Sequence, residues 1–532
     1  MASTKLKTHY RYMLLIIGLW LLTTVPVITR YPISWDAAQY TLGVEHFSVA
    51  MHQPHPPGYP LYELTGKLLA NIFSGHTSLL LITNIFVLVA SLAFYILVWL
   101  IWRQRWLATV LTIALLVNPL TWFYRADGST YPIDLALGIG LALFTYLFAH
   151  SKVVTERNRW LYISAITLGL GSGFRPSTLV LLLPLLVLQW IYLKQWRIIL
   201  ISAGLLIGSV LIWFIPLLGV SGWLEYFKIS WSQYGYAGTS SWFTVNLFKH
   251  FLVTTLVSWN WLLIPIGITV WKHRYVGERF YWWWGLAWGG LATLVYSLIH
   301  FGQTGYALLL MPIGYVLAGR GIEWCYYVWY RSGSLNKKVF SILLLVVWLV
   351  AHASVFLIFT PSYAHPNYRP QRRIDLILQR LVKFAPALAE ANISNIKASE
   401  QRMQNLKILI EQYPAEATLV ITGRDVLYGN NIRNDEPFRE LSAVLPDYQI
   451  MQFSPNYLDY LSAQHNQLIR ANTNTVAVAK SIKYVILVFD QLPNTVKPTR
   501  LLLEQRALSD NQAYYIGIMD YPFTFLGHTI QR

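Results

Sequence analysis

Long apolar runs recur over the first 360 residues of the chain and are separated by short polar segments. Many of these runs approach the ~20 apolar residues that an α-helix needs to cross a bilayer. Window hydropathy predicts about eleven transmembrane helices in this part of the chain. The pattern therefore predicts a polytopic α-helical membrane protein.

The periodicity changes after Pro361. The spacing of apolar and polar residues over 369–412 predicts helices with polar faces. Three short runs of β-branched or alternating apolar residues predict strands at 417–422, 448–453 and 484–489. Strands separated by helical segments are typical of a small α/β domain. We therefore expect a soluble α/β domain over residues 361–532.

The first 360 residues form the predicted transmembrane domain, which has two long external loops at 29–76 and 220–249. Prolines interrupt the middle of the first loop and exclude a regular helix there. The segment that follows, 61–69, is amphipathic and predicts a short helix that lies along the membrane surface.

The composition agrees with this interpretation. The chain is 55% hydrophobic and 12% charged, about half the charged fraction of an average soluble protein. Its net charge of +17 would suit a nucleic-acid partner, but the Lys and Arg residues concentrate in alternate loops while the acids gather in the others. By the positive-inside rule the N-terminus is cytoplasmic, and an odd number of spans places residues 361–532 outside. The charge is thus a topology signal, and we expect no nucleic-acid partner.

Two further features concern export. The first apolar run lacks a small-residue cleavage site, so we interpret it as a retained anchor. Cys325 is the single cysteine of the chain, and an intrachain disulfide is therefore impossible. The exported domain must fold without one.

Candidate chemistry begins in the first external loop, where Asp36 follows the first span by a few residues. A carboxylate held beside the membrane can act as a general base toward a hydroxyl, although it can also simply cap a helix that begins at Ala37. His52, His55 and Tyr59, in and beside the proline-rich segment of this loop, are candidates for substrate binding. These histidines could bind a metal, but no cluster of acids or cysteines at ligand spacing supports that, and we favour hydrogen bonding to a phosphate or fixing of the loop.

Other candidates lie at the predicted external ends of later spans. Arg175 sits in a Gly-Ser-Gly-Phe-Arg-Pro break between two spans, where a lone charge is costly and needs a partner. That partner is either a protein carboxylate or a lipid phosphate gripped by the guanidinium, and we favour the phosphate. The remaining substrate-binding candidates, for which an ion pair or surface capping is the alternative, are Arg125, Asp127, Tyr131, His300 and Gln303.

An aspartate soon after the first span, an interfacial helix, about eleven spans and an exported C-terminal domain together resemble the glycosyltransferase C (GT-C) superfamily. Within it, the chain resembles the group of protein O-mannosyltransferases, aminoarabinose transferases and related bacterial lipid-linked sugar transferases. The His-Pro-Pro-Gly-Tyr-Pro run and the Gly-Phe-Arg-Pro-Ser segment carry this likeness, which covers roughly residues 10–360.

The resemblance implies transfer of a sugar from a polyprenyl-phosphate donor to a hydroxyl acceptor on the non-cytoplasmic face. Asp36 matches the loop aspartate proposed as catalytic in the family. Ala37 follows it where many relatives have a second carboxylate, a departure that favours a metal-independent reaction but leaves a divalent cation open. By the same analogy, the C-terminal domain shapes the acceptor site.

Two other function classes stay open at this stage. A transporter or flippase for a lipid-linked or anionic substrate would also bury charged residues in a membrane cavity, and the Gly171–Gly173 interruption would suit it. A scaffold or receptor would use the exported domain instead. The expected location is a bacterial plasma membrane. The sugar, the acceptor, the length of the lipid and the oligomeric state do not follow from the sequence.

Overall fold

The computed structural model describes residues 2–238, 245–272, 279–299, 303–331, 335–359, 372–385, 388, 391–423, 438–453, 459–461, 468–470, 475–488, 498–509, 512–525 and 528–532. The chain divides into two compact units. The first consists of Met1–Ile28 and Pro56–Lys397, and the second of Thr29–His55 and Ala398–Arg532.

The regular elements of the first unit are all helices among its described residues. Its helices, together with α2 of the second unit, are α1 (Ala2–Thr24), α2 (Trp35–Glu45), α3 (Pro60–Leu69), α4 (Gly75–Trp102), α5 (Arg105–Leu116), α6 (Pro119–Asp127), α7 (Tyr131–His150), α8 (Val154–Phe174), α9 (Ser177–Leu193), α10 (Trp196–Ser221), α11 (Trp223–Gly238), α12 (Val245–Trp259), α13 (Leu263–Lys272), α14 (Arg279–Leu298), α15 (Met311–Cys325), α16 (Leu335–Ile358) and α17 (Arg373–Phe384). The predicted helix at 61–69 is confirmed as α3. Much of the predicted loop at 220–249 is helix α11, and residues 239–244 lie outside the described part.

Five helices among the described residues are long and apolar enough to cross a membrane: His9–Val27, Gly75–Trp102, Tyr131–His150, Trp196–Ser221 and Phe248–Trp271. A sixth span results if α5 and α6, which meet at a bend of 53°, count as one. The protein is therefore a multi-pass membrane protein, but the predicted count of eleven is not confirmed. Some predicted spans are short helices; α9, for example, has 17 residues, and at 1.5 Å per residue it falls short of a ~30 Å hydrocarbon core.

Polar side chains join the helices inside the first unit. The amide of Gln189 on α9 donates to Thr145 Oγ1 on α7 and to Ser164 Oγ on α8, each at 2.9 Å. Asn118, between α5 and α6, donates to the carbonyl of Ser258 at 2.6 Å and to the Tyr315 hydroxyl at 3.0 Å. Hydrogen bonds of this kind hold helices together where apolar surface alone provides no preference for a partner.

The glycines at the end of α8 are explained by close packing. A Cβ on Gly171 would overlap the Leu137 side chain, and one on Gly173 would lie 2.7 Å from Leu61 Cδ1 and 2.8 Å from Trp213 Cδ1. Helix α8 continues without a break to Phe174. The Gly171–Gly173 segment thus brings α8 close to its neighbours and is not an interrupted span.

The second unit contains an α/β sheet. Its helices are α18 (Ile393–Ile410, of which the first residues belong to the first unit) and α19 (Phe438–Val444), and its strands are β1 (Thr418–Gly423), β2 (Gln449–Phe453), β3 (Asp459–Leu461), β4 (Leu468–Arg470), β5 (Thr475–Ala477), β6 (Tyr484–Val488), β7 (Leu503–Ser509), β8 (Gln512–Ile518), β9 (Phe523–Phe525) and β10 (His528–Gln531). The main sheet has the order β2-β1-β6-β8-β7. Strand β1 pairs in parallel with β2 and β6, whereas β8 pairs antiparallel with β6 and β7. The three predicted strands are confirmed as β1, β2 and β6.

The loop segment 29–55 is part of this second unit. Tyr31 and Trp35 pack against a buried cluster formed by residues of α18, α19 and the main sheet, among them Leu406, Leu441 and Ile486. The sequence pattern did not indicate this association, since these elements are separated by more than three hundred residues.

Helix packing in the first unit can be tested at Gly321. A Cβ there would overlap the carbonyl oxygen of Pro265, so α13 and α15 must separate in Gly321→Ala. We expect a loss of about 1–3 kcal/mol of stability. Gly140→Ala is the matched control, because a Cβ on Gly140 meets no atom within 4 Å. Thermal unfolding of the purified protein in detergent measures both; equal midpoints for the two variants would contradict the packing argument.

Candidate functional site

Asp36 lies in the first turn of α2. The Ser34 hydroxyl accepts a hydrogen bond from the Ala37 backbone N–H at 3.2 Å and caps the helix, which begins at Trp35 and not at Ala37. Asp36 is therefore not the capping residue. Its side chain is 15% exposed and belongs to the first turn, where the backbone N–H groups of a helix lack partners within the helix.

His55 lies beside Asp36. Its Nδ1 is 4.0 Å from Asp36 Oδ1 and 2.6 Å from Gln39 Oε1, and its ring packs against Tyr40 at 5.5 Å. Since an amide oxygen only accepts hydrogen bonds, Nδ1 carries the proton in this arrangement. Asp36 and Gln39 are three residues apart and therefore share one face of α2. The Asp36 carboxylate and the His55 imidazole, which Gln39 holds, lie on this face.

His52 closes the turn that precedes the prolines. It adopts a left-handed conformation with φ of 54° after the short helical turn Val49–Met51. The backbones of Ser48 and Gln53 pair through hydrogen bonds of 2.7 and 2.9 Å, which fixes the turn. Burial, with Arg439 and His55 nearby, lowers the pKa of His52 to about 4. His52 is therefore neutral at neutral pH and supplies a hydrogen-bonding ring but no positive charge.

In the first unit, Arg175 caps the end of α8 and is buried. Its Nε lies 2.6 Å from Asp134 Oδ2, and both side chains are nearly inaccessible. Its Nη1 donates to the Thr130 hydroxyl, and its guanidinium lies over the Tyr131 ring at 4.2 Å. Of the two partners expected for Arg175, the structure shows the protein carboxylate. Contact with a lipid phosphate stays a prediction.

Aromatic residues extend this cluster. Tyr306 packs against Tyr131 at 5.3 Å and against Tyr296 at 4.7 Å, and the Arg175 guanidinium lies 5.5 Å from the Tyr306 ring. Sequence reasoning missed Tyr296 and Tyr306. Tyr306 follows Gln303 by three residues, so only its closeness to a named candidate could have indicated it.

Arg125 has a structural contact. Its Nη2 donates to the carbonyl of Thr23, in the last turn of α1, where carbonyls lack partners within the helix. Its guanidinium lies 5.7 Å from the Trp122 ring, and the residue is fully buried. Arg125 thus anchors the end of the first span. A role in phosphate binding stays a prediction.

The other candidates are distributed as follows. Asp127 is buried in the last turn of α6, and the next carbonyl, of Gly128, accepts the Tyr62 hydroxyl at 2.7 Å. Tyr59 is buried just before α3, with φ of 49°. Gln303 is half-buried before the helical turn Thr304–Leu309. His300 lies outside the described residues.

A metal site is not evident in the described part of the chain. Among those residues, no three side chains of His, Cys, Asp or Glu lie together as the ligands of a metal ion would. Metal independence stays a prediction.

Three comparisons with known proteins bear on the chain. The family model "Protein O-mannosyl-transferase TMEM260 N-terminal domain" matches residues 46–199. The "Protein O-mannosyl-transferase tmem260" of Dictyostelium discoideum is 23% identical over 250 residues, which are 43% of this chain and 29% of the relative. The chain thus matches less than a third of that relative's length.

Solved structures match over almost the whole chain. ArnT from Cupriavidus metallidurans bound to undecaprenyl phosphate has a TM-score of 0.56 at 12% identity, covering 95% of this chain and 97% of that one. The apo state of the same protein has a TM-score of 0.58 at 11% identity, covering 97% and 98%. At this identity the match establishes the fold.

The relatives come from an amoeba and a bacterium. The expected bacterial plasma membrane is therefore not supported, and neither is the expected orientation in the membrane. The family model, the curated relative and the solved structures nevertheless agree on one group. They confirm that this membrane protein has the GT-C fold and resembles the protein O-mannosyltransferase and aminoarabinose transferase-like group.

Proposed function

We propose that the protein is a glycosyltransferase that moves a sugar from a polyprenyl-phosphate donor to a hydroxyl on a lipid, glycan or protein. The observation that carries the proposal is the partly exposed Asp36 carboxylate in the first turn of α2, with Nδ1 of His55 4.0 Å away. The matches to O-mannosyltransferases and to an ArnT structure bound to undecaprenyl phosphate support it.

Asp36 is the proposed base. Its carboxylate removes or orients the proton of the acceptor hydroxyl, and the oxygen then attacks the anomeric carbon from the face opposite the phosphate. The bond to the phosphate oxygen breaks as the new glycosidic bond forms, so one turnover inverts the anomeric centre. The Nδ1–H of His55 donates to Gln39, and this hydrogen bond fixes the imidazole ring beside Asp36 before the reaction begins.

The departing phosphate needs a stabilising charge, and Arg175 is the proposed source. Its guanidinium is already paired with Asp134, which compensates for the cost of burying it in the membrane domain. Its central carbon lies over the Tyr131 ring at 4.2 Å, a cation–π contact that adds to the ion pair. The reaction takes place on the non-cytoplasmic face if the loop charges set the orientation as proposed. No metal enters this scheme.

Asp36→Asn tests the base. The variant keeps the shape of the side chain but cannot take a proton, and we expect transfer to fall by about 10²–10⁴-fold with the protein folded. Transfer of radiolabelled sugar from a panel of polyprenyl-phosphate sugars, with NMR of the anomeric configuration of the product, measures this. Asp520→Asn, an exposed position in the same unit, is the control. Full activity of Asp36→Asn would remove Asp36 from this role.

Arg175 requires a paired design. Arg175→Ala alone leaves the buried Asp134 carboxylate uncompensated, and we expect a loss of about 3–5 kcal/mol of stability. Arg175→Gln combined with Asp134→Asn removes both charges and should recover most of that stability. In this double variant the apparent KM for the donor should rise at least about tenfold, since a charge-assisted contact with phosphate is lost. An unchanged donor KM would limit Arg175 to a structural role.

The neutral state of His52 predicts a pH dependence of stability. Its pKa is about 4 in the folded protein and 6.5 ordinarily, so the unfolded chain binds more protons between these values. Stability should therefore fall as the pH falls from 6.5 to 4, by an amount on the order of a few kcal/mol. His52→Asn, which tolerates the left-handed backbone, should flatten this part of the profile of thermal midpoint against pH. His46→Asn, an exposed position in the same segment, should leave the profile unchanged. Equal slopes in His52→Asn and the wild type would contradict the burial of a neutral His52.

A further inference from the structure

Arg439, in the first turn of α19, is among the most buried charged residues of the second unit. Only 2% of it is exposed, and its environment lowers the pKa of the guanidinium to about 9, mainly through burial, although Glu440 acts in the opposite direction. Burying a guanidinium is costly unless its donors and its charge are satisfied. The contacts of Arg439 therefore indicate which part of the structure its burial serves.

Arg439 makes two contacts with the segment Thr29–His55, which carries Asp36. Its Nη2 donates to the carbonyl of Met51 at 3.1 Å, and its guanidinium lies 5.6 Å from the centre of the Trp35 ring. Trp35 immediately precedes Asp36 at the start of α2, and Met51 immediately precedes His52. One side chain of the C-terminal domain thus holds the segment at both the start of the helix and the later turn.

Other contacts fix the beginning of the same segment. The Arg30 backbone N–H donates to Glu400 Oε1 at 2.7 Å, and the Lys407 ammonium lies 5.8 Å from the Tyr31 ring. Both acceptor and cation are on α18. The segment is therefore held at several places along its length, and among the polar side chains that make these contacts, Arg439 is the one that is almost fully buried.

We propose that Arg439 is a positioning residue for Asp36, so that the C-terminal domain sets the orientation of the helix that carries the base. The inference rests on the proposed function of Asp36 as that base. It also gives the C-terminal domain a role in the reaction step itself, which differs from shaping a binding site for the acceptor.

The geometry explains why an arginine is suited to this task. The guanidinium can donate to the Met51 carbonyl while its central carbon lies over the Trp35 ring at 5.6 Å, a combination that the compact ammonium of lysine cannot reproduce. Helix residues are about 100° apart around the axis. A small rotation of α2 on loss of the Trp35 contact therefore moves the Asp36 carboxylate, and a displacement of about 1 Å can slow a reaction by about 10²-fold.

The test uses the full-length protein and compares Arg439→Met, which retains much of the side chain's volume, with the wild type. We expect kcat to fall by about 10–100-fold while the donor KM changes by less than about threefold, because the base is misplaced and the donor is still bound. Arg439→Lys should recover only part of kcat. Arg506→Met is the control, since Arg506 is an exposed arginine of the same unit that pairs with Glu504 on its own strand.

A structural readout accompanies the kinetics. Hydrogen exchange measured by mass spectrometry should accelerate in peptides from residues 29–55 of Arg439→Met, whereas strands β1 and β6 keep their protection. Trp35→Leu should resemble Arg439→Met. The double variant should be no slower than the slower single variant, since the two substitutions remove one shared contact.

The outcomes separate the two proposals. Unchanged exchange in residues 29–55 together with an unchanged kcat would overturn the positioning role of Arg439. Exchange that accelerates equally in β1 and β6 would also overturn it, since Arg439 would then support the domain as a whole. If the wild type transfers no sugar from any donor, or if Asp36→Asn is fully active, the proposed function fails and the inference about Arg439 falls with it.

Discussion

A buried ion pair between Arg175 and Asp134 constrains the packing of the first unit. It joins the end of α8 to the first turn of α7 in a membrane protein, where an uncompensated charge is expensive. Thr130 and the face of Tyr131 complete the surroundings of the guanidinium. The close packing of Gly171 against Leu137 serves the same junction, because it brings α8 near α7, which carries Asp134.

The second unit also buries an arginine. The contacts of Arg439 include a backbone carbonyl and an indole ring, whereas Arg175 pairs with the Asp134 carboxylate. A carbonyl and an aromatic ring attract the guanidinium less strongly than a carboxylate does, but they also cost less to desolvate. This contact joins residues 388 positions apart in the chain, and it makes the loop after the first span a part of the C-terminal domain. The loop that carries Asp36 therefore gains its shape from residues several hundred positions later in the chain.

Sequence reasoning named the candidate site residues by residue type but did not indicate their contacts. Asp36 stands out because it is a carboxylate beside a predicted span, and Arg175 because it is a charge between two spans. The cap of α2, in contrast, is Ser34, and the partner of Arg175 is Asp134, 41 positions earlier in the sequence. Gln39 and Tyr306 have no pattern that would distinguish them from the many other polar and aromatic residues of the chain. Hydrogen bonds and stacking between distant residues depend on how elements pack, which periodicity does not encode.

The sequence by itself determined the membrane class, the short helix α3 and the three central strands of the α/β sheet. These features follow from local patterns of hydrophobicity, β-branching and proline, and such patterns act over a few neighbouring residues. The number of spans was less certain, because an apolar run does not reveal where a helix bends, as α5 and α6 do. Only the tertiary structure decided that residues 29–55 fold with residues 398–532 and that Gly171 and Gly173 serve close packing. It also decided which groups contact the buried Arg175 and Arg439. These outcomes depend on contacts across hundreds of residues, where the cost of burying a charge selects one arrangement from many that the local patterns allow.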